Sequence, residues 1–443
     1  MAVVNVIGAG LAGCEAACRL AKSGIDVRLY EMKPVKFSPA HSNENFAELV
    51  CSNSLKAIDI GNASGLLKEE MRILDSVCVR AAYEARVPAG QALAVDRNIF
   101  AENITREVKS LKNIRIFRQE AECIADLPPA DAIIVATGPL TSKKLADDIK
   151  KITGVSSLSF FDAAAPVIFE ESIDKTKTFR AARYGKGSDD YINCPMNKEE
   201  YEAFYEALIN AETADVKDFD SMHLYEGCMP VECMAARGRD TLKFGPLKPV
   251  GLKRPDGTTP YAVVQLRQDN ESGTLYNIVG FQTRLKFPEQ RRVFGMIPGL
   301  ENAEYARYGV MHRNTYLKSP GLLDGNYNLK GTDIYFAGQI TGVEGYMESA
   351  ASGIVAGIAV SRKLSGNEPL CFPASTVIGA LANYISGFSG KDFQPMGANF
   401  GIMDYGNLFE AYGKKIRDKA LKKKIIAENA LSVMREFSEK NGL

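Results

Sequence analysis

Residues 3–31 read VVNVIGAGLAGCEAACRLAKSGIDVRLYE, and this stretch decides the fold class. Val3 to Ile7 is an apolar run that stops at a glycine. Leu11 to Ser23 repeats its apolar residues at helical spacing and ends at Gly24. Val27 to Tyr30 is a second apolar run. Strand, helix, strand in that order is a βαβ unit. Gly8, Gly10, Leu11 and Gly13 fall in the turn between strand and helix, in the pattern GxGxxG. Glycine permits the tight turn, lets the backbone approach a pyrophosphate and lets the helix pack on the strand. The helix N-terminus offers free N–H groups and positive potential to the phosphates. Glu31 closes the second strand about 20 residues on, where a carboxylate accepts hydrogen bonds from ribose hydroxyls. The predicted ligand is a dinucleotide, and a carboxylate at Glu31 would repel the 2′-phosphate of NADP.

Working outward, AIIVATGP (132–139) is a buried strand ending at Gly138. DIYFA (333–337) is another, followed by a turn holding Gly338, Gly342 and Gly345 and then by a helix. A strand ending in ATG and a late strand ending in a glycine-rich turn favour FAD over NAD. No second GxGxxG occurs, so a nicotinamide reductant would visit the flavin without a Rossmann domain of its own. Between these parts the chain changes character. PVIF, YAVVQL and YNIVGF alternate with Pro/Gly turns and with a charged helix near 197–211. The predicted architecture is α/β: a Rossmann-like, glutathione-reductase-like FAD-binding domain at 1–160 and 326–443, interrupted by an inserted α+β domain at 161–325. Helices are expected near 66–75 and 97–111, a long polar loop over 36–66, and a charged amphipathic helix over 414–440.

The chain has 443 residues, more than one core usually serves. The start is apolar but has no basic region or cleavage site, and no segment reaches the roughly 18 apolar residues of a membrane span. Nine cysteines without framework spacing and without CxxC point to free thiols in a reducing cytoplasm. With three histidines and no Cys/His cluster, no metal site is expected. Lys+Arg and Asp+Glu are both 54, so nucleic-acid binding would need a local basic face. Residues 175–186, 284–292 and 414–424 are basic, and Phe179, Tyr184 and Phe287 lie among them. Such runs suit either a solvated surface or an RNA footprint.

Among the cysteines, Cys14, Cys18, Cys78, Cys123, Cys194 and Cys371 read as packing residues. Cys51 lies in the long polar loop near the expected cofactor. Cys228 stands just ahead of a helix predicted to begin at Pro230 and run to about Ala236. The positive end of that helix favours a thiolate. Cys233, inside the same helix, reads as structural. His312 sits beside Arg313, Asn314 and Tyr316, a setting suited to ligand contact.

VIGAGLAGCEAA, ELVCSNSLK, YEGCMPVECMAARG, TLKFGPLKPVGL, NIVGFQTRLKFPEQ, MHRNTYL and FAGQITGVEGYMESAASG together carry a resemblance. Over essentially its whole length the chain resembles the folate- and FAD-dependent tRNA (uracil-5-)-methyltransferases (TrmFO family). The resemblance implies FAD as cofactor, methylenetetrahydrofolate as one-carbon donor and NAD(P)H as reductant. It implies C5-methylation of a uridine in the tRNA T-loop. It also implies Cys228 as nucleophile, Cys51 as a second participating cysteine and His312 against the folate pterin. The chemistry agrees: a thiolate adding to uracil C6 makes C5 a nucleophile, and a base must later remove the C5 proton. Alternatives are the same chemistry on ribosomal RNA, an FAD oxidoreductase acting on a small molecule, and a non-catalytic RNA-binding flavoprotein.

Overall fold

A computed structural model describes residues 2–155, 158–185, 189–214, 229–390, 392–409 and 416–443. Of residues 158–162, 312 and 313 it describes the backbone alone. The central sheet is five-stranded and wholly parallel, in the order Ile334–Phe336, Ala132–Val135, Val3–Ile7, Asp26–Glu31, Ile114–Arg118. Parallel strands are covered on both faces, which is why these stretches read as apolar runs rather than alternating ones. Val4, Val6, Leu29 and Ile134 are all buried. The helix Leu11–Lys22 packs on the helix Tyr346–Leu364 at very close range, because a Cβ built on Gly353 would lie 2.2 Å from the Ala12 carbonyl oxygen. The late helix is thereby clamped against the first glycine turn, which brings the two ends of the sheet's connectivity to one place.

A second core belongs to a six-stranded antiparallel sheet. Its order is Phe179–Arg180, Tyr191–Met196, Ala262–Gln268, Leu275–Ile278, Val167–Phe169, Tyr305–Arg307. Met196, Tyr201, Phe204, Val264, Phe281 and Phe294 fill that core. The charged helix Lys198–Ile209 opens with a capping box, Asn197 with Glu200, as sequence and physics require at a helix start. Leaving and returning strands, Leu158–Ala163 and Met311–Tyr316, pair antiparallel with each other. The two units are stitched by side chains: Tyr191 Oη donates to the Ala89 carbonyl at 3.1 Å, and the Gly90 N–H donates to Asp190 at 2.6 Å. Among the described residues, no helix is long and apolar enough to cross a membrane.

The expected long loop at 36–66 is interrupted. Ser54–Ala57 is a strand that pairs antiparallel with Ala92–Val95, and a helix begins at Ala63. The strand is short, its register slips, and Lys56 is left-handed at φ 65°, so no period-two pattern marks it. The helix Val77–Glu84 was also not expected. It is one of the short ones, and its N-cap is the buried Ser76, whose hydroxyl accepts from the Val79 N–H. The C-terminal helix runs from Lys419 to Asn441; residues 414 and 415 lie outside the described ones.

Candidate active site

The first cleft is built on the glycine turn. Gly8 has φ +98°, and a Cβ there would meet the Ala136 carbonyl oxygen at 2.6 Å. A Cβ on Gly13 would lie 1.8 Å from the Gly8 carbonyl oxygen, so helix and strand touch backbone to backbone. Gly10 differs: a Cβ there meets no atom within 4 Å, because it would project into the open cleft. The helix beyond has no side-chain cap and no acidic residue in its first turn, which leaves its N-terminal potential available to an anion. Glu31 is buried, accepting from the Ala9 N–H at 3.0 Å and the Lys33 N–H at 2.9 Å. Two spent lone pairs leave its others for a ligand. Tyr30, stacked on Phe117, also lines the cleft, and its buried hydroxyl has no hydrogen-bond partner. An open space over Gly10, an uncapped helix end and an orphaned hydroxyl fit a dinucleotide.

Cys51 walls a second cavity, and its neighbours belong to the first cleft. Val50 and Tyr346 line the cleft. Cys51, Ser52, Ala165, Met229, Arg267 and Gln282 are among the walls of the second, a space of about 330 Å³. The Cys51 N–H donates to Tyr346 Oη at 2.8 Å, and its thiol reaches the Ala163 carbonyl at 3.6 Å. Three arginines converge here. Arg97 and Arg307 each donate to the Cys51 carbonyl at 3.3 Å. Arg267 donates to Asn53 at 3.0 Å and Ser52 at 2.9 Å. Arg97 is held by both oxygens of Asp269 at 3.0 Å; burial opposes its charge, but Asp269 outweighs burial and raises its pKa. Burial lowers Arg267 and Arg307. Arg267 thus puts a buried positive charge in the cavity wall, which is suited to an anion or to developing negative charge, while Arg97 and Arg307 hold the backbone of Cys51 behind it.

The family model for glucose inhibited division protein A matches residues 3–368. The methylenetetrahydrofolate–tRNA-(uracil-5-)-methyltransferase TrmFO of Acetivibrio thermocellus is 60% identical over 439 residues, covering 99% of each chain. Its Bacillus anthracis counterpart is 56% identical over 437 residues, covering 98% of each. The chain belongs to the family of these methyltransferases. The solved structure of Aquifex aeolicus GidA superposes with a TM-score of 0.69 at 16% identity, covering 99% of this chain and 73% of that one. That likeness shows the fold, a Rossmann-type α/β unit with an inserted domain.

Within this family member, the cleft gathers Gly8, Gly10, Leu11, Glu31, Gly138 and Gly338. Gly13 stands behind the turn as a packing contact. Gly342 and Gly345 are not part of the cleft wall. Their missing side chains leave room for the Phe393 ring at 2.6 Å and for Glu348 Oε2 at 2.2 Å. Cys228 lies outside the described residues. Met229, next in the chain, walls the Cys51 cavity, and Pro230 is the N-cap of the helix Val231–Ala236 rather than its first residue. Cys233 is half-buried inside that helix, and burial pushes its thiol up to about 11. Cys14, Cys18, Cys78 and Cys194 are buried, with thiols raised by desolvation. Cys371 is exposed and Cys123 half-exposed, so neither is a packed core thiol; each lies in a coil segment without helix or strand to bury it. His312 lies on the strand where Met311 faces Ala163, the acceptor of the Cys51 thiol. Tyr346 lies within FAGQITGVEGYMESAASG, but neither its bond to Cys51 nor the convergence of the three arginines is expected from the sequence.

Proposed function

We infer that the chain methylates C5 of a uridine in the T-loop of tRNA, taking the one-carbon unit from methylenetetrahydrofolate and electrons from NAD(P)H. The observation that carries this is Cys51: its thiol-bearing residue walls a cavity that also holds Arg267, and its chain neighbour Val50 and its hydrogen-bond partner Tyr346 line the dinucleotide cleft. Identity of 60% over 99% of a relative so named supports the same reaction. Gly8, Gly10, Leu11, Glu31, Gly138 and Gly338 would hold FAD, which supplies the redox chemistry that links NAD(P)H to the one-carbon unit. Cys228 adds as thiolate to uracil C6, and the electron pair displaced onto the ring makes C5 nucleophilic toward the folate-derived methylene. Arg267, in the cavity wall, stabilises the negative charge that develops on the ring, and Arg97 and Arg307 position Cys51 through its carbonyl. Cys51 takes the C5 proton as the bond from the methylene to its carrier breaks; a hydride, which bound FAD would relay from NAD(P)H, completes the methyl group, and the C6–S bond then breaks to return Cys228. His312 contacts the pterin, and its place opposite Asp162, one residue from the Ala163 carbonyl that Cys51 reaches, supports that role.

Two separate cores support an inserted domain in the division 1–160, 161–325 and 326–443, but Tyr316, Leu317 and Leu323 pack in the first core, so the second unit's core ends ahead of them. A glutathione-reductase-like arrangement is the finer reading of the parallel sheet. A cytoplasmic setting suits eight free thiols among the described residues. The test is incubation of the purified flavoprotein with unmodified tRNA, methylenetetrahydrofolate and NADPH, followed by nucleoside analysis. Stoichiometric 5-methyluridine in tRNA is expected. Methylation of ribosomal RNA alone, or NADPH oxidation with no RNA product, would overturn the reading.

A further inference from the structure

Residues 241–254, TLKFGPLKPVGLKR, carry Lys243, Lys248, Lys253 and Arg254 and no carboxylate. This stretch adjoins the Cys51 cavity, because Pro246 is part of the cavity wall. A Cβ on Gly280, another wall residue, would lie 2.5 Å from Pro246 Cβ, so the stretch is packed directly on the cavity. Leu247 and Leu252 are buried and anchor it. Around these anchors Phe244 remains 85% exposed and Val250 54%.

A neighbouring segment is fastened to the same loop. Arg183 donates to the carbonyls of Lys248 at 2.6 Å and Val250 at 3.0 Å, and the Tyr184 N–H donates to the Gly251 carbonyl at 2.8 Å. Tyr184 is 59% exposed and left-handed at φ 60°, a conformation that an aromatic residue adopts only where its surroundings hold it. A Cβ on Gly251 would lie 2.8 Å from the Tyr184 ring, so a glycine is needed for the ring to lie over the loop backbone.

The Tyr184 ring is therefore held over the loop and the Phe244 ring stands exposed on it, and the loop's charged residues are all cationic and its Pro246 walls the cavity of Cys51. Exposed apolar groups clustered in this way mark a contact surface. The occupant that matches both the charge and the rings is single-stranded RNA, a polyanion whose every unit has a π-face. A uridine that enters the cavity leaves the RNA stack, and its neighbours each lose a stacking surface. We propose that Tyr184 and Phe244 stack on nucleobases of the RNA loop that presents the uridine, while Lys248 and Lys253 contact its phosphates. Lys243 is not included, because it is paired with Asp240 at 2.7 Å. The inference rests on the RNA-methylating reading above and adds to it the residues that grip the strand.

Binding of the holoenzyme to a labelled, unmodified T-loop hairpin RNA, followed by fluorescence anisotropy, tests this. Tyr184→Ala and Phe244→Ala should each weaken binding by roughly 5- to 100-fold, the range of one lost base–aromatic stack. KM for RNA should rise more than kcat falls, and the salt slope should not change. Tyr184→Phe should restore binding. Lys248→Ala and Lys253→Ala should each reduce the salt slope by about one. Tyr184→Gly relieves the left-handed backbone, so thermal stability should hold or rise while RNA binding falls, a split that a packing role would not produce. Wild-type affinity in both alanine variants overturns the proposal, as does a loss of RNA binding that tracks a loss of flavin. If the wild-type enzyme methylates RNA and the ring variants are silent, the inference alone fails. If the wild-type enzyme methylates no RNA, the functional reading fails and the inference with it.

Discussion

The dinucleotide cleft and the cavity walled by Cys51 are made in opposite ways. The dinucleotide cleft is largely a backbone construction: Gly8, Gly10 and Gly13 shape it by having no side chains, and its anion-binding capacity comes from a helix end. The second cavity is a side-chain construction: Arg97, Arg267 and Arg307 converge from three distant parts of the chain on the segment that holds Cys51. The first therefore tolerates no added atoms, and the second tolerates no removed charges. A cofactor that stays bound is suited to the first kind of site. A substrate that must enter, react and leave is suited to the second, where charge and a thiol act on it.

This contrast can be broken at either cavity. Arg97→Leu should have the largest effect on stability, about 3–5 kcal/mol, because it leaves Asp269 buried and uncompensated; denaturant unfolding measures it. Gly13→Ala comes next. Its new methyl would sit 1.8 Å from the Gly8 carbonyl oxygen, and relief by backbone movement should cost about 1–3 kcal/mol, with cofactor loss as a consequence. Gly10→Val should leave the unfolding of flavin-free protein unchanged, since no protein atom lies within 4 Å of that Cβ, yet abolish the yellow colour of the purified enzyme. Full flavin content in Gly10→Val would remove the turn from the cofactor site. The smallest effect concerns Cys233. With its thiol near 11, alkylation should be slow at pH 8 and rise about tenfold per pH unit up to about pH 10. Fast labelling of Cys233 at pH 8 would show an activated thiol where burial says there is none.

The same contrast explains what could be read from the sequence. The cleft was legible because strand, glycines, helix and Glu31 are contiguous, and each residue type has one physical reason to be there. The antiparallel insertion was legible as alternating strands and turns, though not its strand order. The Cys51 cavity was not, because residues 51, 97, 267 and 307 meet only after folding, and no spacing rule links an arginine to a carbonyl so far along the chain. Gly342 and Gly345, expected at the cofactor from their turn, make room for Phe393 and Glu348 and do not line the cleft. Ser54–Ala57 was hidden by its left-handed Lys56. Cys371 was assigned to packing by default and is exposed, since cysteine's preference for the interior cannot override a coil position.

The proposed reaction gives two cysteines different tasks: Cys228 forms the bond to uracil C6 and Cys51 removes the C5 proton. RNA carrying 5-fluorouridine at the target position separates them, because fluorine at C5 cannot leave as a proton and the adduct persists. Incubated with methylenetetrahydrofolate and NADPH, then digested and mapped by mass spectrometry, the wild-type enzyme and Cys51→Ala should both give RNA attached at Cys228. Cys228→Ala should give no adduct while retaining its flavin. Attachment at Cys51 or Cys233, or no covalent complex in the wild-type enzyme, would contradict the account.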